Sequence, residues 1–600
     1  MGGNARRRAA KKAAAKIARR LSSIPATERA TGHGQTGSLA YVGTYLTLEE
    51  YLGRSIEIRS QRYSATTYIP NLLRQHEREI LLAELGFLNH CLRVPGLERV
   101  LISEYRMRLT PDARARLDKL MNSPDEGRVF LGRQAILRAM RLVLLQGIDS
   151  PSEKPQHIAI DAAIRLVHAI ANDLGSDIAG RPGPELWPGL SGALGMELIQ
   201  NYAFNAQEDI LSRLTRYDAL WRNYGKAVHR TPVRASPDEL FTEATGVDRR
   251  DLFAVAFALW AAANNWKPGL NYRFRPRDEI GLSPEIVEKC LSLFSVDIPT
   301  MTKALRDSSG DWEMLPFEEH PVIELGDGSV LLLDQTYLLD RVTSGLYWYV
   351  LGHEERRDEG KKDAERWSTA YAAMVESYAE DRIRAMAPTV ANFFTEEQMQ
   401  AAYRGKLADA VLDMGEFLFF EVQKAPISLA SRQLGEVEKF KQDTDHIVLE
   451  KVAQLESAAL QVLNNETPLT GKPDRADKRG RPIIVSGGDY PVNPITTEYI
   501  SHMARERGLL VDTRFSELCV IDLGELETLE AVSERAERPA ADVLREWKSG
   551  PGHRFSLRTY FFERRTGDPD QYRPVWMIAA SDSLFDDVKH RLRLRSDEDA

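Results

Sequence analysis

Gly405 to Ser428 reads GKLADAVLDMGEFLFFEVQKAPIS, and the layout of this stretch decides how the second half of the chain folds. Two apolar runs flank Asp413-Met414-Gly415-Glu416, so the stretch predicts a strand, a tight turn and a second strand. Asp409 falls on the first strand and Glu421 near the end of the second. Side chains alternate faces along a strand, which puts Phe417, Phe419, Glu421 and Gln423 on one face and Leu418, Phe420 and Val422 on the other. Both faces are apolar except at the far end, the pattern of a strand covered on both sides. A carboxylate buried there requires a cation or hydrogen-bond donors.

The turn sets whether Asp409 joins Glu421. A two-residue loop, Met414-Gly415, pairs Asp409 with Phe420 and sends the two acids to opposite faces. A three-residue loop, Asp413-Met414-Gly415, pairs Leu412 with Glu416 and Asp409 with Phe419. The acids then share a face as diagonal neighbours, ~7–8 Å apart at the backbone. Gly415 suits the longer loop, which commonly ends in a left-handed residue. Two carboxylates so placed suit Mg²⁺, a hard cation that prefers oxygen ligands and keeps several waters.

Outward from the hairpin, Ala364 to Met386 predicts an amphipathic helix with Trp367, Tyr371, Met374, Val375 and Tyr378 on one face, stopped by Pro388. Arg432 to Leu463 predicts helix with Val448, Val452, Leu455 and Ala459 as its stripe. Pro482–Ser486 and Leu518–Leu523 predict strands, Glu525–Glu537 a helix, and Thr559–Glu563 with Pro574–Ala579 a closing pair of strands. A further hairpin is expected at Val322–Leu325 and Val330–Leu333, around Asp327-Gly328. From 39 to about 290 the chain reads as mostly helical, through Leu72–His90, Ala135–Gln146, Ile158–Leu174, Leu194–Leu214 and Leu252–Trp266. Pro70 is expected at the start of the first helix, and Arg181-Pro182-Gly183-Pro184 breaks the run.

Six hundred residues predict several domains. The expectation is a multidomain α+β chain: a basic tail and linker at 1–38, a helical domain at 39–315, and an α/β domain with a mixed sheet and C-terminal strands at 316–600. No apolar run approaches the ~20 residues of a membrane span. Cys91, Cys290 and Cys519 stand far apart, which excludes a disulfide framework and fits a cytoplasmic setting. The net charge of −9 argues against wholesale coating of nucleic acid, although residues 6–20 carry a basic run suited to phosphate contact. Gly32-His33-Gly34-Gln35-Thr36-Gly37 matches a dinucleotide fingerprint only in letters, lacking its strand and helix. Gly471-Lys472-Pro473 fails as a phosphate loop, with Pro473 in the Ser/Thr place.

The helix Arg366–Met386, the hairpin LADAVLDMGEFLFFEVQKA and the following SRQLGEVEKFKQDTDHIVLEKVAQLESAA together resemble the PD-(D/E)XK, restriction-endonuclease-like nuclease superfamily over about 315–550. The resemblance implies a Mg²⁺- or Mn²⁺-dependent nuclease acting on DNA, with pairing into a homodimer among its expectations and restriction of foreign DNA as a natural setting. It casts Asp409 and Glu421 as metal ligands, and Glu376 and Gln454 as assisting residues. The chain departs from the pattern in two places. Ala408 replaces the name-giving proline. Gln423 stands where the motif has lysine, and a glutamine amide supplies no positive charge. A bulge turning Lys424 inward is one substitute and Lys451, near Gln454, another. The alternative function is a catalytically inactive nuclease-like binding or sensor module.

Overall fold

A computed structural model of the chain describes residues 65–592, apart from short stretches of which the longest are 175–184, 197–208, 226–232, 265–271 and 564–571. The basic run at 6–20, the linker with its glycines and the Arg181-Pro182-Gly183-Pro184 break lie outside the described residues. So does much of the expected Leu194–Leu214 helix, whose end overlaps the described helix Ile210–Ala219.

The domain holding the hairpin is built on α1, Gly360–Ala385. Its Trp367, Tyr371, Met374, Val375 and Tyr378 are all buried, as their spacing requires. Next come β1 (Phe393–Thr395) and α2 (Glu396–Ala402), started by a capping box between Thr395 and Gln398. The hairpin follows as β2 (Ala410–Asp413) and β3 (Phe417–Gln423), then α3 (Glu450–Asn464) and β4 (Gly480–Ser486). Last are β5 (Cys519–Asp522) and α4 (Leu523–Arg535).

These strands form one mixed sheet in the order β5-β4-β3-β2-β1. The β1–β2 and β2–β3 pairs are antiparallel, while β3–β4 and β4–β5 are parallel. Both faces of β3 are covered, as its sequence predicts. Leu418, Phe420 and Val422 belong to the core beneath α1 and α4. Phe417 and Phe419 pack with Val452, Leu455 and Ala459 of α3 in a separate core. Burying one such phenylalanine contributes roughly 1.5–3 kcal/mol.

The hairpin loop has three residues, but they are Met414-Gly415-Glu416 and not Asp413-Met414-Gly415. Asp413 pairs with Phe417 and Ala410 with Phe420. Gly415 takes the left-handed conformation (φ +84°) at the middle of the loop. Asp413 stays in the strand because Arg475 Nη1 holds its Oδ1 at 2.9 Å, while its carboxylate accepts the Gly415 N–H. Glu416 is buried beside Arg481 and accepts a hydrogen bond from Ser516 Oγ. Both end residues of the turn are therefore anchored, and the ladder shifts accordingly. Asp409 precedes Ala410 by one step and Glu421 follows Phe420 by one, so the acids adjoin across the ladder on one face and are not diagonal neighbours.

Elsewhere the expected helices appear as Arg78–Arg93, Arg133–Gln146, Ala159–Leu174 and Arg249–Asn264. Pro70 lies within a separate short helix, Ala65–Leu73, and does not open the next one. The closing strands are a larger correction. Thr559–Glu563 falls in the helix Leu557–Glu563, whose start is capped by Ser556 Oγ accepting the Thr559 N–H. Pro574–Ala579 opens the helix Val575–Arg591, where Met577, Ser581, Leu584 and Val588 are buried at helical spacing. That period emerges only beyond the six-residue window that reads as strand.

The expected boundary at 315/316 does not divide the core. The hairpin Val322–Glu324/Val330–Leu332 forms, but Ser295–Asp297 pairs with it in parallel from the other side of the boundary. One hydrophobic cluster runs from Ile69 to Leu592. Across the divide Trp221 packs on Trp367, their rings 5.7 Å apart, and Arg216 Nη2 meets Glu527 Oε2 at 2.7 Å, both buried. The last helix returns to the first half, where Arg591 pairs with Asp251 and Phe585 packs on Phe257. No helix among the described residues is long and apolar enough to cross a membrane.

Candidate active site

Glu421 leaves the sheet on the α3 face, beyond Phe417 and Phe419. It is 2% exposed, so its charge is met by protein groups and not by water. Lys451 and Gln454, three residues apart on α3, supply them. Lys451 Nζ donates to Glu421 Oε1 at 2.6 Å. The Gln454 amide donates to Glu421 Oε2 at 2.8 Å and to the Leu407 carbonyl at 2.9 Å. Asp409 Oδ2 accepts the Val422 N–H at 2.7 Å, which pins it over the start of the same strand pair.

The two carboxyls are both held above their ordinary range. Burial is the main cause for Glu421, with repulsion from Asp409 next and the Lys451 ammonium opposing them. Burial also dominates at Asp409; the Val422 hydrogen bond pulls the other way, and Glu396 adds repulsion. Such a pair titrates as a unit and keeps a proton to higher pH than either acid would alone. Lys451 is held above the usual lysine range by its contact with Glu421, against the pull of burial.

Glu376, on α1, joins electrically. Its carboxyl is raised to about 7, by burial first and then by Asp409 and Glu396, with Lys424 and Lys451 opposing. The residue is nonetheless exposed, so water screens part of that rise. Two acids that sequence reasoning missed contribute. Glu396 lies in the first turn of α2 and its N–H bonds the Asp409 carbonyl. Glu380 adds repulsion at Asp409. The sequence signal for Glu380 was its place four residues after Glu376 on one helix; for Glu396 it was the capping box after a short apolar run.

The two residues at the motif's lysine position diverge. Gln423 ends β3 half-buried, with no side-chain hydrogen bond among the described residues. Lys424 follows a regular strand end with no bulge, and its Nζ donates to Ser368 Oγ at 2.8 Å and to the Ser368 carbonyl on α1. It does not reach the carboxylate pair. Of the sequence-predicted residues, the structure brings together Asp409, Glu421, Lys451 and Gln454, sets Glu376 beside them, and directs Lys424 elsewhere.

Among the described residues, no three His, Cys, Asp or Glu side chains gather closely enough to hold a metal alone. The Asp409–Glu421 pair still fits Mg²⁺ or Mn²⁺ in kind: two hard oxygen donors side by side with a single ammonium between them, for an ion that needs only one or two carboxylates. Both Glu421 oxygens are hydrogen-bonded, so a cation there would have to share them with Lys451 and Gln454 or displace one of the two. Comparisons with known proteins are silent: no family model matches the sequence, and no curated protein or solved structure matches it.

Proposed function

We propose that the chain is a Mg²⁺- or Mn²⁺-dependent nuclease that hydrolyses phosphodiester bonds of DNA, with restriction of foreign DNA as its setting. The observation that carries this reading is the adjoining Asp409 and Glu421 on antiparallel strands, with Lys451 Nζ 2.6 Å from Glu421. The order helix, hairpin, helix, strand in a mixed sheet supports it.

In this reading Asp409 and Glu421 hold the cation, which when bound activates a water and neutralises charge on the phosphate. Lys451 supplies the positive charge that Gln423 lacks. Freed from Glu421, its ammonium stabilises the developing negative charge on the phosphate. Gln454 keeps the Glu421 carboxylate in place through its second bond, to the Leu407 carbonyl. Glu376, with its raised carboxyl, is placed to take up a proton near neutral pH.

Incubating the full chain with plasmid and Mg²⁺ or Mn²⁺ tests the reading. Cleavage is expected, and Glu421→Ala should abolish it. Lys451→Met should lower single-turnover rates by about 10²-fold, as loss of one electrostatic stabiliser does. Lys424→Met should change them far less. No metal-dependent cleavage, or equal loss in both lysine variants, would sink the reading. The second reading, an inactive binding or sensor module, is favoured by one observation: both Glu421 oxygens are already bound by protein groups. DNA binding without cleavage by the unaltered chain would select it.

A further inference from the structure

Away from the sheet, four helices enclose a cavity of about 250 Å³ in the first half of the chain. Arg78–Arg93 presents Phe87, His90 and Cys91 to it, and Leu97–Met107 presents Leu101 and Tyr105. Ile158 lies at the start of Ala159–Leu174, and Ala263 comes from Arg249–Asn264. The walls are apolar and aromatic, the usual lining of a small-molecule site.

Two features point to a ligand. The first is His90, 2% exposed, whose ring has the Gln335 side chain within hydrogen-bonding reach and no other polar partner among the described residues. That contact engages one ring nitrogen and leaves the other for a ligand. Burial pushes the imidazole down to about 4, so it is neutral, with one nitrogen free to accept. Buried polar groups normally have a partner, and an orphan in a cavity wall is a place for one. The second is the rim. Val100 and Ile158 border the cavity and are 50% and 59% exposed, an apolar doorway. Glu84 and Glu104 stand on the same border, and the exposed Glu104 places an acid at the entrance.

We propose that this cavity is a binding site for a small aromatic molecule of one or two rings that donates a hydrogen bond to His90, with a cationic substituent favoured at the Glu84–Glu104 rim. Size sets the class: a cavity of roughly 150 Å³ admits benzene, so this one admits a bicyclic ring. The site shares no residue with the carboxylate pair, and the proposal stands whether or not the chain cleaves DNA.

Calorimetric titration of the full chain with indole, 1-methylindole, tryptamine and indole-3-acetate tests it. Saturable binding is expected for indole, tighter for tryptamine and weaker for indole-3-acetate. 1-Methylindole, which has no N–H, should bind roughly tenfold more weakly than indole, the loss of one buried hydrogen bond. His90→Phe should bring indole and 1-methylindole to equal affinity. Glu104→Lys, at an exposed position, should reverse the order of tryptamine and indole-3-acetate. Should His90→Phe fail to fold, the 1-methylindole comparison and Glu104→Lys decide alone. Absence of saturable binding by any of the four, or equal binding of indole and 1-methylindole by the unaltered chain, overturns the proposal.

Discussion

At the scale of the residue, Glu421 carries a conflict. It is an acid enclosed by phenylalanines, next to a second acid, with one ammonium to balance both. An unfolded glutamate titrates near ~4.3. In the fold both Asp409 and Glu421 titrate higher, so their protonated forms favour the folded state. That contribution is complete below the unfolded value and is lost as pH rises through the raised one. The metal-free protein should therefore lose stability between about pH 5 and about pH 8, by an amount on the order of 2 kcal/mol. Mn²⁺ should restore it at the upper end by drawing both carboxyls back down, and Glu421→Gln should flatten the fall. Thermal denaturation across pH, with and without the cation, measures this. A melting temperature that is level in pH and indifferent to Mn²⁺ would count against a cation at this pair. Glu421 was legible in the sequence as an enclosed acid, since it alternates with Phe417 and Phe419, whereas Asp409 could be placed on its face only through the length of the turn. Lys451 as partner was legible only as one option among several, because α3 reaches β3 across thirty residues of chain whose path no local pattern fixes.

At the scale of the element, the hairpin shows what determines register. Its loop length was readable from the turn residues, and its position was off by one. Gly415 allows the left-handed step at either place. Long-range partners decide: Arg475 on Asp413 and Arg481 on Glu416, both from beyond α3. Those same pairs bury both acids of the DMGE turn, while Gly415 between them stays exposed. Gly415→Ala should cost about 1 kcal/mol or more, because its φ of +84° is unfavourable for alanine while open space meets the added methyl. Urea denaturation reads this. A cost near zero would mean that the loop relaxes to another geometry. The closing strands failed for a related reason. Short apolar windows such as PVWMIAA fit strand or helix equally, and only Ser581, Leu584 and Val588 downstream reveal the helical period.

At the scale of the whole molecule, the expected division into a helical half and an α/β half is not a division of the core. Composition and texture do change near Pro316, and that change was visible in the sequence. What it could not show is that Ser295–Asp297 completes a sheet with strands after the change, or that Arg216 and Glu527 are buried together across it. A fragment of residues 316–600 should lack cooperative unfolding by circular dichroism. In the full chain, Arg216→Met should destabilise by about 3–5 kcal/mol through the stranded Glu527 charge. An independently folding fragment would show that the shared core is dispensable. The final helix, Val575–Arg591, adds a consequence in time. It packs against helices laid down more than three hundred residues earlier. Synthesis delivers the N-terminal part first. On the ribosome, then, those helices emerge with an open flank that no neighbour yet covers. The hairpin acids are also outside before the clasp exists. Closure of this core therefore waits on residues 575–591, however early the helices they cover have been made.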